Sequence, residues 1–191
     1  MTEFQEKNYV VVRGFLDPDS VRSVSKYLEN KIKRHPEINE NSNDPEKVSR
    51  FCWYADPLIE TVLENSTTHV EEVTGLQLSP TYSYTRVYMK GDQLKPHTDR
   101  PSCEVSVTCH VATVGEPWKI YMESPGQQPT AVELAPGDAV VYKGCIVKHW
   151  RHPMENTEIN VQFMLHYVDQ NGPNAEYKFD KRPYLAYPVR G

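Results

Sequence analysis

The chain divides by the period of its apolar positions. From Asp17 to about Gly75 they recur at helical spacing, and from Leu76 to Val168 they alternate. The stretch from Asn8 to Leu16 (Asn-Tyr-Val-Val-Val-Arg-Gly-Phe-Leu) predicts an opening strand. Asp17-Pro18 ends it, with Asp suited to an N-cap and Pro to the first helical position. Val21, Val24, Leu28 and Ile32 then mark one helix face to about Arg34. Residues 35–50 are polar, with two prolines and three asparagines, and predict a loop that is either a substrate lid or a plain surface excursion. Asp56-Pro57 repeats the helix start. Leu58, Ile59, Val62, Leu63, Val70 and Val73 carry it to Gly75, with Ser66-Thr67-Thr68 as a point of division.

Beyond Gly75 the pattern is that of strands. Tyr82 to Met89 is rich in Tyr, Val and Thr, Gly91-Asp92 supplies a turn, and Leu94 to Arg100 re-enters extended structure. Val105, Val107, Cys109 and Val111 alternate with Glu104, Ser106, Thr108 and His110. Further runs follow at Trp118 to Met122, Ala131 to Leu134, Ala139 to Tyr142, Cys145 to Arg151 and Glu158 to Val168. About eight short strands with turns and no helices between them predict a mainly β fold. The expected form is a jelly roll (a double-stranded β-helix) behind an N-terminal helical layer. One domain is expected over residues 1–170, with the helical layer at about 17–75, the sheet core at about 76–168, and an irregular tail at 171–191.

Composition changes this picture little. Of 191 residues, 38% are hydrophobic and 25% charged, an ordinary balance for a globular domain. A formal charge of −5 offers no general attraction to phosphate, which lowers a nucleic-acid role. No apolar run approaches the roughly 20 residues that span a bilayer, so no membrane association is expected. Cys52, Cys103, Cys109 and Cys145 lack any Cys-x-x-Cys spacing, which predicts free thiols in a reducing cytoplasm.

The candidate chemistry lies in His97-Thr-Asp99. On a strand, residues two apart share a face, and an imidazole beside a carboxylate makes two parts of a 2-His-1-carboxylate iron(II) site. With 7 His and 26 acidic residues, about one such triplet is expected by chance, and His35-Pro-Glu37 and His69-Val-Glu71 are two more. Only His97 and Asp99 stand in strand context. The second imidazole has four candidates downstream, His110, His149, His152 and His166. His149 lies within an extended run, whereas His152 precedes Pro153 at a turn.

The ordered set Tyr88-x-x-Gly91, His97-x-Asp99, Pro136-Gly137-Asp138 and His149-x-x-x-Pro153 resembles the iron(II)- and 2-oxoglutarate-dependent dioxygenases. The likeness is to small prolyl-4-hydroxylase-like and phytanoyl-CoA-hydroxylase-like members, over about residues 8–170. It implies His97, Asp99 and His149 as ligands of Fe(2+), and Tyr88 as a hydrogen-bond donor to 2-oxoglutarate. The implied reaction uses O2, hydroxylates a C–H bond of a peptidyl residue or small metabolite, and releases succinate and CO2. A carboxylate at position 99 favours hydroxylation over halogenation. The family's cation, about ten residues past the second His, falls here on Ile159, so Arg86 or Arg151 is expected to hold the distal carboxylate. That departure also leaves a second expectation, a cupin-like jelly roll that binds or senses a metal without turnover.

Overall fold

A computed structural model describes residues 2–34 and 51–187. The loop at 35–50, with its lid reading and His35-Pro-Glu37, lies outside these residues. A short helix, α1 (Glu3–Lys7), precedes everything, held by a capping box in which Thr2 and Gln5 exchange hydrogen bonds. Then come β1 (Tyr9–Val12), α2 (Pro18–Arg34), β2 (Phe51–Tyr54), α3 (Pro57–Asn65) and α4 (Thr67–Thr74). The strands β3 (Leu78–Met89), β4 (Leu94–His97), β5 (Val105–Gly115), β6 (Ile120–Glu123) and β7 (Thr130–Val132) follow. β8 (Ala139–Lys143), β9 (Lys148–Arg151) and β10 (Thr157–Asp169) complete the set. Ten strands are thus described, in two antiparallel sheets. The larger runs β1-β8-β5-β10-β3-β2 and the smaller β4-β9-β6-β7. This is the predicted jelly roll.

The alternation in the sequence sorts side chains onto two sides of the large sheet. Val87, Val107, Cys109, Val111, Val141, Phe163 and Leu165 face the helices, packing with Val24, Leu28, Ile59, Leu63 and Val70. Their neighbours in sequence face the small sheet. At one end of the inner space Tyr9, Ile120, Met122, Val132, Val140, Tyr142 and Val147 form a second apolar cluster. The other end stays open and polar. The helices therefore support the sheet from outside, as their apolar stripes predict.

Several boundaries differ from the sequence reading. The opening strand stops at Val12, because Gly14 takes a left-handed backbone (φ 62°) and turns the chain away. Ser66 ends α3 and begins α4, so the helical region is two helices. β3 contains Pro80, which cannot donate to a ladder; the pairing with β10 slips there, His166 facing Tyr82 and Tyr167 facing Pro80. Cys145 to Val147 form a turn, and only Lys148 to Arg151 is strand. The turn before β8 needs Gly137 (φ 91°), where a Cβ would come within 2.7 Å of the Leu16 carbonyl oxygen. Asp138 fixes that turn by accepting from Arg13, Gly14 N–H and Ala135 N–H. None of the four cysteines forms a disulfide. Among the described residues no helix is long and apolar enough to cross a membrane.

Candidate metal centre and its cavity

β4 and β9 pair with His97 opposite His149, which brings two imidazoles together across strands. Their ring centroids are 4.3 Å apart. Asp99 lies two residues past the end of β4, in a connection rather than in the strand. Its direction is set by contact: its N–H donates to the Gly144 carbonyl at 2.8 Å. Gly144 leaves no room for a side chain, since a Cβ would stand 2.6 Å from Asp99 Oδ2 and 2.1 Å from the Cys103 carbonyl oxygen. One ligand atom from each of His97, Asp99 and His149 can be chosen with all three within 4.8 Å of one another.

The ring nitrogens decide what this cluster can hold. His97 Nδ1 is 2.8 Å from the Lys95 carbonyl and His149 Nδ1 is 3.1 Å from the Val147 carbonyl. A carbonyl only accepts, so each Nδ1–H donates, and in the neutral rings Nε2 carries the lone pair. Both Nε2 atoms stand 3.6 Å from Asp99 Oδ1. Burial pushes the His149 pKa below its ordinary value, against the attraction of Asp99. Burial would raise the Asp99 carboxyl, but His97, His149, His166 and Ser106 outweigh it and hold the group below its ordinary value. Two neutral imidazoles and a carboxylate with convergent lone pairs repel one another unless a cation lies between them. The donor set therefore fits a divalent metal of the iron(II) type.

The cluster opens on a cavity of about 420 Å³ between the sheets. Tyr88 and Arg86 line it from β3, with His97, Asp99 and His149 at its base. The Arg86 guanidinium lies 5.2 Å from the centre of the Tyr84 ring. Arg151 is not among the lining residues, although it shares its strand side with His149. Its Nη2 donates to Gln162 Oε1 at 2.7 Å, its Nη1 to the Trp118 carbonyl, and the guanidinium lies 4.8 Å from the Trp118 ring. Burial lowers its pKa to about 10. Ile159 packs with the helix-side cluster, so no side chain there reaches the cavity.

The other histidines fall elsewhere. His110 is buried and paired with Thr113 Oγ1 at 2.8 Å, outside the cavity lining. His152 is exposed at the turn, its carbonyl accepting from Trp118 Nε1. His69 lies on α4 against Phe15. His166 is buried and lines the cavity, on the side opposite Phe163 and Leu165. Burial brings its pKa down to about 4, which leaves it neutral at pH 7.

Part of the wall comes from residues the sequence reading did not single out. Tyr54, from the unpredicted β2, lies with its ring 5.0 Å from Tyr82, and Tyr82 in turn 4.5 Å from His166. The C-terminal segment returns to this wall. Asp180 accepts from Tyr54 Oη at 2.6 Å and from Arg100 Nη2 at 2.8 Å. Arg182 pairs with the buried Glu60 of α3. Phe179, Asp180 and Lys181 all take left-handed backbone conformations, with φ of 54°, 54° and 62°. Tyr82, Arg100 and His166 lie inside stretches that the sequence marked, whereas Tyr54, Asp180 and Arg182 do not.

No protein-family model matches the sequence, and a search of curated proteins gave no match. Solved structures do resemble it. HygX from Streptomyces hygroscopicus, with nickel and 2-oxoglutarate bound, is 11% identical with a TM-score of 0.67, over 88% of this chain and 85% of its own. A prolyl-4-hydroxylase from Pseudomonas putida is 16% identical with a TM-score of 0.63, over 86% and 95%. SnoN, a non-heme alpha-ketoglutarate-dependent epimerase from nogalamycin biosynthesis, is 16% identical with a TM-score of 0.66, over 98% and 92%. At these identities the likeness establishes the fold. The chain has the double-stranded β-helix of the iron(II)- and 2-oxoglutarate-dependent oxygenases.

Proposed function

We propose that this chain is an iron(II)- and 2-oxoglutarate-dependent oxygenase that hydroxylates a C–H bond of a peptidyl residue or small metabolite. The observation that carries the reading is the convergence of His97 Nε2, His149 Nε2 and Asp99 Oδ1 at the base of an open cavity. In this reading His97, Asp99 and His149 hold the metal. Bound iron(II), with 2-oxoglutarate and O2, supplies the oxidising chemistry that converts the oxo acid to succinate and CO2.

The chain's own residues bind and orient. Tyr88 and Arg86 alternate on β3 and face the cavity together, so a hydroxyl and a guanidinium are presented to one carboxylate. Arg86 is the anchor for the distal carboxylate, because it lines the cavity beside Tyr88, whereas Arg151 is outside the lining. Leu94 and Ile120 add apolar surface to the cavity lining, which limits water beside the reacting groups.

The similar structures support the class, and their chemistry differs. A hydroxylase and an epimerase share this fold. The test is purified protein with iron(II), O2 and 2-oxoglutarate, assayed for succinate against panels of peptides and small metabolites. Hydroxylation requires a product with one added oxygen atom. A stereochemical change without added oxygen would replace hydroxylation by another oxidative outcome. Metal binding with no turnover under any panel would favour the sensing jelly roll.

A further inference from the structure

We infer that Ser106 and His166 form a hydrogen-bonded relay that orients the Asp99 carboxylate and thereby sets how tightly the centre holds its metal. The inference rests on the metal-site reading above and assigns two positioning residues to it.

Register places the relay. His166 of β10 is directly opposite Ser106 of β5, and both point to the inner side of the large sheet. Ser106 Oγ lies 2.9 Å from His166 Nδ1, 2.9 Å from Asp99 Oδ2 and 3.2 Å from the Cys103 carbonyl oxygen. The hydroxyl has one proton, and the Tyr142 hydroxyl is a further neighbour. The Asp99 carboxylate is the strongest acceptor and takes that proton, so in the contact with Ser106 Oγ the His166 Nδ1 must donate. If His166 accepted instead, the hydroxyl oxygen would face two oxygens with no proton between them. The arrangement that gives a proton to both 2.9 Å contacts runs His166 Nδ1–H to Ser106 Oγ, and Ser106 O–H to Asp99 Oδ2.

The result is a carboxylate gripped on one oxygen. Oδ2 receives the serine proton, while Oδ1 is the atom presented to both histidine Nε2 atoms. The Gly144 backbone packs close on its other side, where a Cβ would collide with both Asp99 Oδ2 and Ser106 Oγ. His166 is itself held, buried against the Tyr82 ring. Asp99, Cys103 and His166 also come within metal-binding distance of one another. They do not make a second centre here, because the Ser106 hydroxyl joins Asp99 to His166 and the Cys103 sulfur lies 3.0 Å from the Tyr82 hydroxyl.

Two measurements test this. In metal-free protein, nitrogen NMR of labelled histidines should find His166 as the Nδ1–H tautomer, and Ser106→Ala should abolish that preference. An Nε2–H tautomer in the parent would overturn the relay, whatever the site binds. Cobalt(II) titration of the folded proteins is the second measurement, with folding followed by circular dichroism. Ser106→Ala and His166→Phe should weaken cobalt binding roughly 10- to 100-fold. His166→Asn, which keeps a donor near the Nδ1 position, should restore most of the loss. Parent-like binding in Ser106→Ala and His166→Phe, with binding still lost in His97→Ala, would overturn the relay alone. A parent that binds no cobalt would overturn the metal-site reading and the relay's role together.

Discussion

The two sides of the large sheet are built from the same strands and obey different rules. On the helix side, Val87, Val107, Phe163 and Leu165 are interchangeable in kind, each contributing apolar area to one cluster. On the inner side, one residue away in sequence, Arg86, Tyr88, Ser106, Gln162 and His166 each have a particular partner or place. Packing tolerates shape-conserving exchange, whereas a polar network fails when one member leaves. The helix side should therefore carry stability and the inner side binding, and substitutions can separate the two.

The largest effect belongs to the ligand set. His97→Ala, Asp99→Ala and His149→Ala should each take 2-oxoglutarate turnover below detection while leaving the circular dichroism unchanged. His152→Ala should retain most activity, since its ring is exposed against Tyr121 and lies outside the cavity lining. Activity surviving in His149→Ala would show that the third ligand is misassigned.

Next is the oxo-acid anchor. Arg86→Met should weaken 2-oxoglutarate by roughly 3–5 kcal/mol, about two to four decades, with the metal still bound. Arg151→Met should bind 2-oxoglutarate nearly as the parent does and unfold more easily, because Gln162 and the Trp118 carbonyl lose their donor. Anaerobic titration of the iron protein, followed by its metal-to-ligand absorption, reads the first effect; urea unfolding reads the second. The reverse pattern would exchange the roles of the two arginines.

On the helix side, Leu28→Ala should cost about 2–5 kcal/mol in urea unfolding, since Leu28 is 1% exposed within the cluster. Metal affinity of the folded fraction should not change. A selective loss of metal affinity would break the division between the two sides.

The smallest effect is at the turn before β8. Asp138→Asn should cost about 1–2 kcal/mol at pH 7, by weakening the bonds from Arg13, Gly14 and Ala135. Burial would raise this carboxyl, but those donors outweigh it and hold it below its ordinary value of 3.8. Its contribution is therefore complete above that value and is lost as pH falls through the lower folded-state value. The gap between parent and variant should close in acid. A gap that is constant from pH 7 to pH 2 would show that charge has no part in it.

Alternation and turn residues made most of the sheet legible, because period two and Gly-Asp turns are local properties. β2 and α1 were missed for the same reason: four and five residues are too few for a period to declare itself. The His97-Thr-Asp99 pair was visible, but not the cause of its geometry. Asp99 lies outside the strand and takes its direction from Gly144, 45 positions later. The place of Arg151 depended on its contacts with Trp118 and Gln162. His166 and Ser106 are 60 residues apart and meet only through the register of β10 with β5. Such facts belong to strand pairing, which no window of sequence contains.

The central position of β10 has a consequence for how the molecule assembles. This strand lies between β5 and β3, yet it leaves the ribosome after all the other described strands. Until it arrives, β5 and β3 each present an open edge to solvent, and His166 is absent from Ser106. Such a chain cannot zip up progressively from one end; it must wait for a long-range insertion that closes the sheet in one event. Refolding in the range of roughly milliseconds to seconds is expected of so nonlocal a topology, and stopped-flow fluorescence would time it. Chains cut before Thr157 would keep both edges exposed and self-associate through them. The candidate metal centre is then a late product of folding, completed only when β10, made after the other described strands, takes its place in the middle.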